Sequence, residues 1–393
     1  MRRLIVPPSR GKKLTPMSFG IHARRISQTD SSGIRTPLYP EIGYGIFRLT
    51  EPLTCKWRAI EAEEGVFDWS NMDYMVDFIT DAGLIPYYVF GGAPDWAVAS
   101  NPGAGQVPTV SSYQAFTEAV VERYAGRGFW YELWNEMDYS VFFAGTEEQA
   151  SELIDGRATA LKAIDETATI IAPSMTAAGA FWYDRFLRTG AADGCDGIAY
   201  HSYVYPSPPE KIVGNARIFN GLKEKYGFDL LINSEFTWHS FVEDGEVESY
   251  PALMSQEKGA AYLIWTLVLN HLSGADCSMF FGLDEDIETN AAFSCIQMLH
   301  PTTKAKLDVA VALEHFINLM VGGTISNYRS GFPIDRVSIS TGDGRTGEII
   351  KAAEGTTGTM DLSGYASGVD VLGEEITLSS TYTVTDSPIF VFN

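Results

Sequence analysis

Two glutamates in the sequence follow short runs of mostly apolar residues. Glu136 comes directly after Trp134 and Asn135, and Glu235 comes directly after Ser234. Cleavage of a glycosidic bond needs a pair of carboxyl groups: one protonates the leaving oxygen, and the other attacks the anomeric carbon or activates a water that does. Asn135 adds a neutral donor that suits a sugar hydroxyl group. These residue types predict chemistry on a glycoside, provided that the fold brings Glu136 and Glu235 together.

The elements that must position these residues are predicted from eight apolar runs, which alternate with helix-like stretches. Strands that are apolar along their length are typical of a parallel sheet covered on both faces. The predicted strands are Ser18–Ala23, Gly45–Leu49, Leu84–Phe90, Trp130–Asn135, Ile170–Ser174, Gly197–Tyr203, Leu230–Ser234 and Cys277–Gly282. The predicted helices are Ser70–Gly83, Ser111–Ala125, Thr146–Thr167, Gln256–Leu272 and Thr303–Met320.

Eight strands that alternate with helices predict an α/β fold of the (β/α)8 TIM barrel type. A doubly wound sheet is the alternative, but it usually carries a glycine-rich phosphate turn, and neither a GxGxxG nor a GxxxxGK motif follows a predicted strand. The catalytic side chains of a barrel lie at the C-terminal ends of its strands. Since Glu136 and Glu235 end the fourth and seventh strands, we expect them to face each other across the barrel mouth.

The composition changes after about residue 322, where Gly, Ser, Thr and Val become frequent and short alternating runs appear. This pattern predicts a small antiparallel β-sandwich domain. Its predicted strands are Val337–Ser340, Glu348–Lys351, Val369–Leu372, Ile376–Leu378, Tyr382–Val384 and Ile389–Val391. We expect residues 16–320 to form the barrel, and residues 1–15 and 321–393 to form the accessory domain.

Other strand ends supply candidates for binding a sugar. Arg48, near the end of the second strand, is a candidate for fixing the nucleophile carboxylate, and its alternative role is a structural salt bridge. The remaining candidates each have core or loop packing as the alternative. They are His22 after the first strand, Trp96 after the third, His201 and Tyr203 at the end of the sixth, Trp238 after the seventh, and either Phe280 or Phe281 at the end of the eighth, with Phe281 preferred.

At these positions the chain resembles glycoside hydrolase clan A, and most closely the family 39 enzymes. Asn135 and Glu136 match the acid/base dipeptide of the clan, and Glu235 matches its nucleophile. Residues 57–69 resemble the loop after the second strand, and residues 94–97 resemble the loop after the third. The resemblance covers roughly residues 18–300, and the trailing β domain also suits family 39.

The resemblance implies a mechanism as well as a fold. Glu235 would be the nucleophile and Glu136 the general acid/base of a double displacement that retains the anomeric configuration. One of His201 and Tyr203 would form a hydrogen bond near the nucleophile. Neither a metal nor an organic cofactor is implied.

The charge of the chain restricts its partners. The net charge is −22 and the isoelectric point is about 4.6, so binding to nucleic acid or to an anionic membrane surface is not expected. Four cysteines lie far apart with no CxxC pair, which argues against a zinc or redox motif and leads us to expect free, mostly buried thiols. They are Cys55, Cys195, Cys277 and Cys295.

The first residues carry two arginines, but the apolar run that follows stops at Pro7 and Pro8, so no hydrophobic core of a signal peptide is present there. No apolar run approaches the ~18 residues of a membrane span. We therefore expect a cytoplasmic protein, or one released without a visible signal peptide. The oligomeric state is left open.

The substrate expected from the sequence is an oligosaccharide or polysaccharide. Loops near Trp96 and Trp238 could support an open groove, which favours an enzyme that cuts within a bacterial exopolysaccharide or a related β-glycan. An exo-acting, β-xylosidase-like enzyme is the alternative, and a non-catalytic carbohydrate-binding barrel is a rival. An aldolase or a metal-dependent hydrolase would need a strand-end lysine or a His/Asp cluster, and the predicted strand ends show neither.

Overall fold

The computed structural model describes residues 11–23, 37–49, 55–98, 107–240, 254–283, 296–300 and 303–393. Eight parallel strands close a barrel in the order in which they follow one another along the chain. They are β1 (Phe19–Ala23), β2 (Ile46–Leu49), β3 (Ile85–Val89), β4 (Trp130–Glu132), β5 (Thr169–Ile171), β6 (Gly197–His201), β7 (Leu230–Phe236) and β8 (Cys277–Phe281). The predicted TIM barrel is confirmed, and each strand overlaps its predicted range.

The α-helices of the described segments alternate with these strands. They are α1 (Trp57–Ile60), α2 (Ser70–Asp81), α3 (Val110–Tyr124), α4 (Glu147–Ile154), α5 (Arg157–Ile164), α6 (Ala180–Arg188), α7 (Ile212–Tyr226), α8 (Gln256–Leu272) and α9 (Asp308–Met320). The single helix predicted over Thr146–Thr167 is wrong, because the chain breaks at Gly156, whose φ of 70° lies in the left-handed region. Helices α6 and α7 were not predicted, and Gly214 and Gly221 lower the helix propensity of α7.

The C-terminal region forms antiparallel sheets, as predicted. The strands are β9 (Thr324–Arg329), β10 (Ile334–Ser340), β11 (Thr346–Ala352), β12 (Gly358–Met360), β13 (Ser367–Val369), β14 (Tyr382–Val384) and β15 (Ile389–Phe392). Five of them form a sheet in the order β13-β15-β11-β10-β9, and β12 pairs with β14.

One strand predicted in this region, Ile376–Leu378, does not form. A Cβ atom on Gly368 would lie 3.0 Å from the side chain of Ile376 and 3.1 Å from that of Leu378. The two apolar side chains therefore cover the bare backbone of β13. The segment meets β13 through an isolated bridge between Glu375 and Val369 and through the Ile376 N–H, which donates to the Gly368 carbonyl at 3.0 Å.

The sheet region and the barrel share one hydrophobic core, which includes Ile325 and Phe390 together with residues of α8 and α9. A buried lysine also joins them: Lys351 of β11 places its Nζ 2.8 Å from a carboxylate oxygen of Glu210 and over the ring of Trp265. Lys13, which precedes the barrel in the sequence, forms an isolated antiparallel bridge with Thr324 at the start of β9. The predicted boundaries of the barrel domain, at residues 16 and 320, stay a prediction.

The inside of the barrel is apolar at its centre, where Ile46, Val89, Ile171 and Ile232 are in contact with their neighbours in one buried cluster. Polar side chains begin above this layer, at the C-terminal ends of the strands. Within the described segments, Cys55, Cys195 and Cys277 are free thiols, whereas Cys295 lies outside them. Of the helices in those segments, none is both long and apolar enough to span a membrane.

Candidate active site

Glu136 and Glu235 reach the same mouth of the barrel from different local structures. Glu235 lies within β7, whereas Glu136 lies on the loop after β4. The backbone of Glu136 has a φ of 41°, a conformation that non-glycine residues rarely adopt, and its N–H donates to the Ser174 hydroxyl at 3.0 Å. The side chains are 13% and 12% exposed, so both carboxyl groups reach solvent at the mouth only.

His201, at the end of β6, lies between the two carboxyl groups. Its Nδ1 is 2.7 Å from Oε1 of Glu136 and 3.5 Å from Oε2 of Glu235. A carboxylate oxygen of Glu136 and one of Glu235 lie within 4.8 Å of each other. The structure thus brings together the two glutamates that the sequence singled out, at a separation that one anomeric centre can bridge.

Arg48 is fully buried beneath this pair and organises it. Its Nη1 donates to Oε1 of Glu235, and its Nη2 donates to Oδ1 of Asn135 at 2.9 Å and to Oε1 of Glu132 at 2.8 Å. Nδ1 of His22 lies 3.4 Å from the same Glu235 oxygen. One guanidinium therefore fixes the Glu235 carboxylate and the Asn135 amide relative to each other.

The second oxygen of the Glu235 carboxylate accepts a hydrogen bond from the hydroxyl of Tyr203. Tyr203 lies on the loop after β6, two residues beyond His201, and 41% of its surface is exposed. Its ring therefore forms part of the open wall of the mouth while its hydroxyl holds Glu235.

The surroundings of Glu235 favour its ionised form. Burial alone would raise the pKa of Glu235, but the positive charges of His201 and Arg48 and the Tyr203 hydrogen bond hold that pKa well below its usual range. For His201, burial would lower the pKa, but the Glu235 and Glu136 carboxylates outweigh burial and raise it. Burial, and then Arg48, lower the pKa of His22 well below its usual value. The site therefore holds Glu235 as a carboxylate beside a His201 imidazole whose protonated form is favoured.

Two further residues belong to this network and were not among the predicted site residues. Glu132 is fully buried and accepts hydrogen bonds from Arg48 and from the Tyr87 hydroxyl, the latter at 2.7 Å. The sequence carried a signal for it, since a charged side chain inside an apolar strand needs a buried partner. Lys56 precedes α1, its Nζ donates to the Val89 carbonyl at 3.4 Å, and burial together with Arg48 lowers its pKa to about 8.

The aromatic candidates divide between pocket and core. The ring of Phe281 stacks on His22 with 4.4 Å between ring centroids, so Phe281 lines the site, whereas Phe280 is buried against Phe236. Trp96 is half-buried, and its indole N–H donates to the Glu61 carbonyl at 3.0 Å. This bond ties the loop after β3 to the loop after β2.

Trp238 does not match the expectation of a sugar platform. It is only 2% exposed, its indole N–H donates to the Thr266 hydroxyl at 3.1 Å, and its ring packs edge-on against Tyr262. The loop after β7 therefore packs this ring onto α8, and Trp238 offers no open face to a sugar.

Glu136, His201 and Glu235 each offer one donor atom within 4.8 Å of the others, so their spacing alone could suit a metal ion. The Glu235 carboxylate, however, is already bonded to Arg48 and to Tyr203. A divalent cation bound to this carboxylate would be repelled by the buried positive charge of Arg48, whose Nη1 donates to Oε1 of Glu235. The cluster is therefore better suited to proton transfer and nucleophilic attack than to holding a cation.

Comparison with known proteins finds solved structures of similar fold. No family model and no curated protein sequence matches the chain. A family 39 glycoside hydrolase from the gut symbiont Bacteroides cellulosilyticus is 17% identical, with a TM-score of 0.74 over 97% of this chain and 82% of that one.

Two other similar structures cover nearly the whole of both chains. A family 39 β-xylosidase from Caulobacter crescentus is 16% identical, with a TM-score of 0.67 over 98% of each chain. A family 30 endoxylanase from Clostridium papyrosolvens is 14% identical, with a TM-score of 0.64 over 99% of this chain and 98% of that one. The chain therefore has the fold of family 39 and family 30 glycoside hydrolases, including the C-terminal β region.

Proposed function

We propose that the protein is a retaining glycoside hydrolase in which Glu235 is the nucleophile and Glu136 the general acid/base. The observation that carries this proposal is the separation of the two carboxyl groups, whose oxygens approach within 4.8 Å. Retaining enzymes keep their carboxyl groups ~5–5.5 Å apart, whereas inverting enzymes leave ~6.5–9.5 Å for a water. The short separation supports direct attack by one carboxylate.

The different surroundings of the two glutamates support their separate roles. Arg48 and Tyr203 both donate to the carboxylate of Glu235, which suits a nucleophile that must stay ionised. Oε1 of Glu136 lies 2.7 Å from Nδ1 of His201, a titratable group that can exchange a proton with the carboxyl group. That arrangement suits the residue that gives a proton and later takes one back.

The reaction would proceed in two displacements. In the first, a Glu235 oxygen forms a bond to the anomeric carbon as the bond to the leaving oxygen breaks, and the proton of Glu136 moves to that oxygen. In the second, Glu136 takes a proton from a water, whose oxygen attacks the same carbon and releases Glu235. The carbonyl oxygen of Asn135 is bonded to Arg48, so its NH2 group can donate to a sugar hydroxyl.

The substrate class that we propose is a β-linked oligosaccharide or polysaccharide, such as a bacterial exopolysaccharide or a related β-glycan. Support comes from the similar structures, which include a β-xylosidase and an endoxylanase. An exo-acting, β-xylosidase-like activity is the alternative, and the size of the products distinguishes the two.

The test is a side-by-side comparison of the wild type with Glu235→Gln and Glu136→Gln. Reducing-sugar release is measured on aryl β-glycosides and on a panel of bacterial and plant polysaccharides, and NMR follows the first anomer formed. Glu122→Gln is the matched control, because Glu122 is an exposed residue of α3. We expect activity in the wild type and the control only, and a first product that retains the anomeric configuration of the substrate. Equal activity in all four proteins would refute the roles of Glu136 and Glu235, inactivity in all four would favour a non-catalytic carbohydrate-binding barrel, and an inverted product would exclude the double displacement.

A further inference from the structure

The loop that follows Glu136 exposes a pair of aromatic rings. Tyr139 is 48% exposed and Phe142 is 39% exposed, and the two rings pack edge to face with 5.9 Å between centroids. Val141, between them in sequence, is 44% exposed. Exposed apolar side chains that cluster in this way can mark a binding surface.

Backbone hydrogen bonds fix these rings relative to the proposed general acid. The N–H of Tyr139 donates to the Glu136 carbonyl at 2.9 Å, and the N–H of Phe142 donates to the Tyr139 carbonyl at 2.9 Å. The buried indole of Trp134 donates to the Phe142 carbonyl at 3.1 Å. The backbone that carries the two rings is therefore tied to the Glu136 carbonyl at one end and to the buried indole of Trp134 at the other.

A second anchor ties the same loop to the loop after β5. The carboxylate of Asp138 accepts the N–H of Thr176 at 2.8 Å and the hydroxyl of Thr176 at 2.5 Å. Gly179 is packed so closely that a Cβ atom there would lie 2.3 Å from an Asp138 oxygen. The rings thus stand on a surface built from two loops that are held together.

We propose that Tyr139 and Phe142 form a leaving-group subsite that stacks on a sugar ring of a chain-like substrate. The inference rests on the proposed function, in which Glu136 protonates the leaving oxygen, so the leaving group must lie on the Glu136 side of the mouth. An aromatic ring supplies a broad apolar face there, and sugar rings present C–H groups to such a face. The substrate is then one whose leaving group is itself a saccharide, as in cleavage within a polysaccharide.

The experiment compares two substrates that share the same glycone. One is the polysaccharide or oligosaccharide that the wild type hydrolyses, and the other is the corresponding glycosyl fluoride, whose leaving group has no ring. For Tyr139→Ala and Phe142→Ala we expect kcat/KM on the saccharide to fall about tenfold, the effect of losing one stacking contact. On the fluoride, both variants should match the wild type. Tyr139→Trp should preserve activity on the saccharide, because the stacking face is kept.

Ile218→Ala is the matched control, since Ile218 is an exposed apolar residue of α7. An equal fall on both substrates would overturn the subsite, because the fluoride has no leaving-group ring to stack on Tyr139 or Phe142. Unchanged activity on both substrates would also overturn it, because the rings would then not touch the substrate. A wild type that hydrolyses neither the fluoride nor any saccharide would refute the proposed function itself, before any variant is compared.

Discussion

Arg48 and Glu132 form a fully buried ion pair, with 2.8 Å between Nη2 and Oε1, directly beneath the Glu235 carboxylate. The same guanidinium also bonds to Glu235, so Arg48 is shared between a carboxylate that faces the mouth and one that never meets solvent. Tyr87 completes the arrangement by donating to the other Glu132 oxygen at 2.7 Å. Glu132 thus fixes the position and charge of Arg48, and through Arg48 it fixes Glu235.

Substitution of Glu132 by Gln tests this relationship. The variant keeps the shape of the side chain but leaves Arg48 with one carboxylate partner instead of two. Removing one partner of a buried ion pair costs about 3–5 kcal/mol. Because Arg48 keeps Glu235 as its second carboxylate partner, we expect the free energy of unfolding to fall by roughly 2–4 kcal/mol. We also expect kcat to fall about tenfold or more, because Arg48 can shift. Chemical denaturation and steady-state kinetics measure the two effects, with Glu122→Gln as the control. Wild-type kcat would contradict the positioning role.

Substitution of Tyr203 by Phe should move the acid limb of the pH–rate profile. The Tyr203 hydroxyl donates to Glu235 and helps hold the pKa of that carboxyl low, so its loss raises that pKa. A hydrogen bond to a charged group contributes about 1.5–3 kcal/mol, which corresponds to a rise of about one pH unit or more in the acid limb of kcat/KM. Tyr382→Phe, in β14, is the control. An acid limb that stays in place while the rate falls would mean that Tyr203 acts on the substrate and not on Glu235.

The barrel strands and the two glutamates could be predicted from local sequence, because a strand buried on both faces must be apolar along its length. Glu136 and Glu235 followed such runs, and the barrel topology brings the ends of β4 and β7 to one face. The break at Gly156 was also visible in principle, because glycine is the residue that tolerates a left-handed turn.

Exposure of the aromatic residues could not be predicted in the same way. Trp96 and Trp238 have similar loop positions in the sequence, yet Trp238 is packed against α8 and Trp96 is half-buried. Tyr139 and Phe142 were not singled out, although they follow Glu136 closely. Whether a ring faces solvent depends on which distant helix or loop packs on it, and no local pattern encodes that. Glu132 was visible as a charge within a strand, but its partner Arg48 is distant in the chain.

The stability of the protein should depend on pH through His201. The pKa of His201 is raised above its usual value of 6.5, so its contribution to stability is fully present below pH 6.5 and is lost as pH rises through the folded-state pKa. The difference in unfolding free energy between the wild type and His201→Gln should therefore decline as the pH rises above 6.5.

Lys56 gives a pH dependence of opposite sign in a higher range. Its pKa is lowered to about 8 from 10.5, so stability rises between those pH values as the unfolded chain loses its extra proton. Measuring the His201→Gln difference by urea denaturation from pH 6 to pH 8 therefore keeps the two effects apart. A difference that grows with pH in that range would contradict the assignment to His201.

Substitution of Trp238 and of Phe281 should differ in its effect on catalysis, although the sequence placed both residues at the sugar site. Trp238→Phe removes the bond to Thr266 and leaves space in the core, so we expect a loss of about 1–3 kcal/mol in unfolding free energy with kcat/KM unchanged. Phe281→Ala removes the buried ring that stacks on His22 beside Glu235, so kcat/KM should fall severalfold and the unfolding free energy by about 3–5 kcal/mol. Kinetics and denaturation of both variants decide the matter. If Trp238→Phe weakened catalysis while stability held, the ring would have to reach the substrate, and its burial against α8 would not describe the working enzyme.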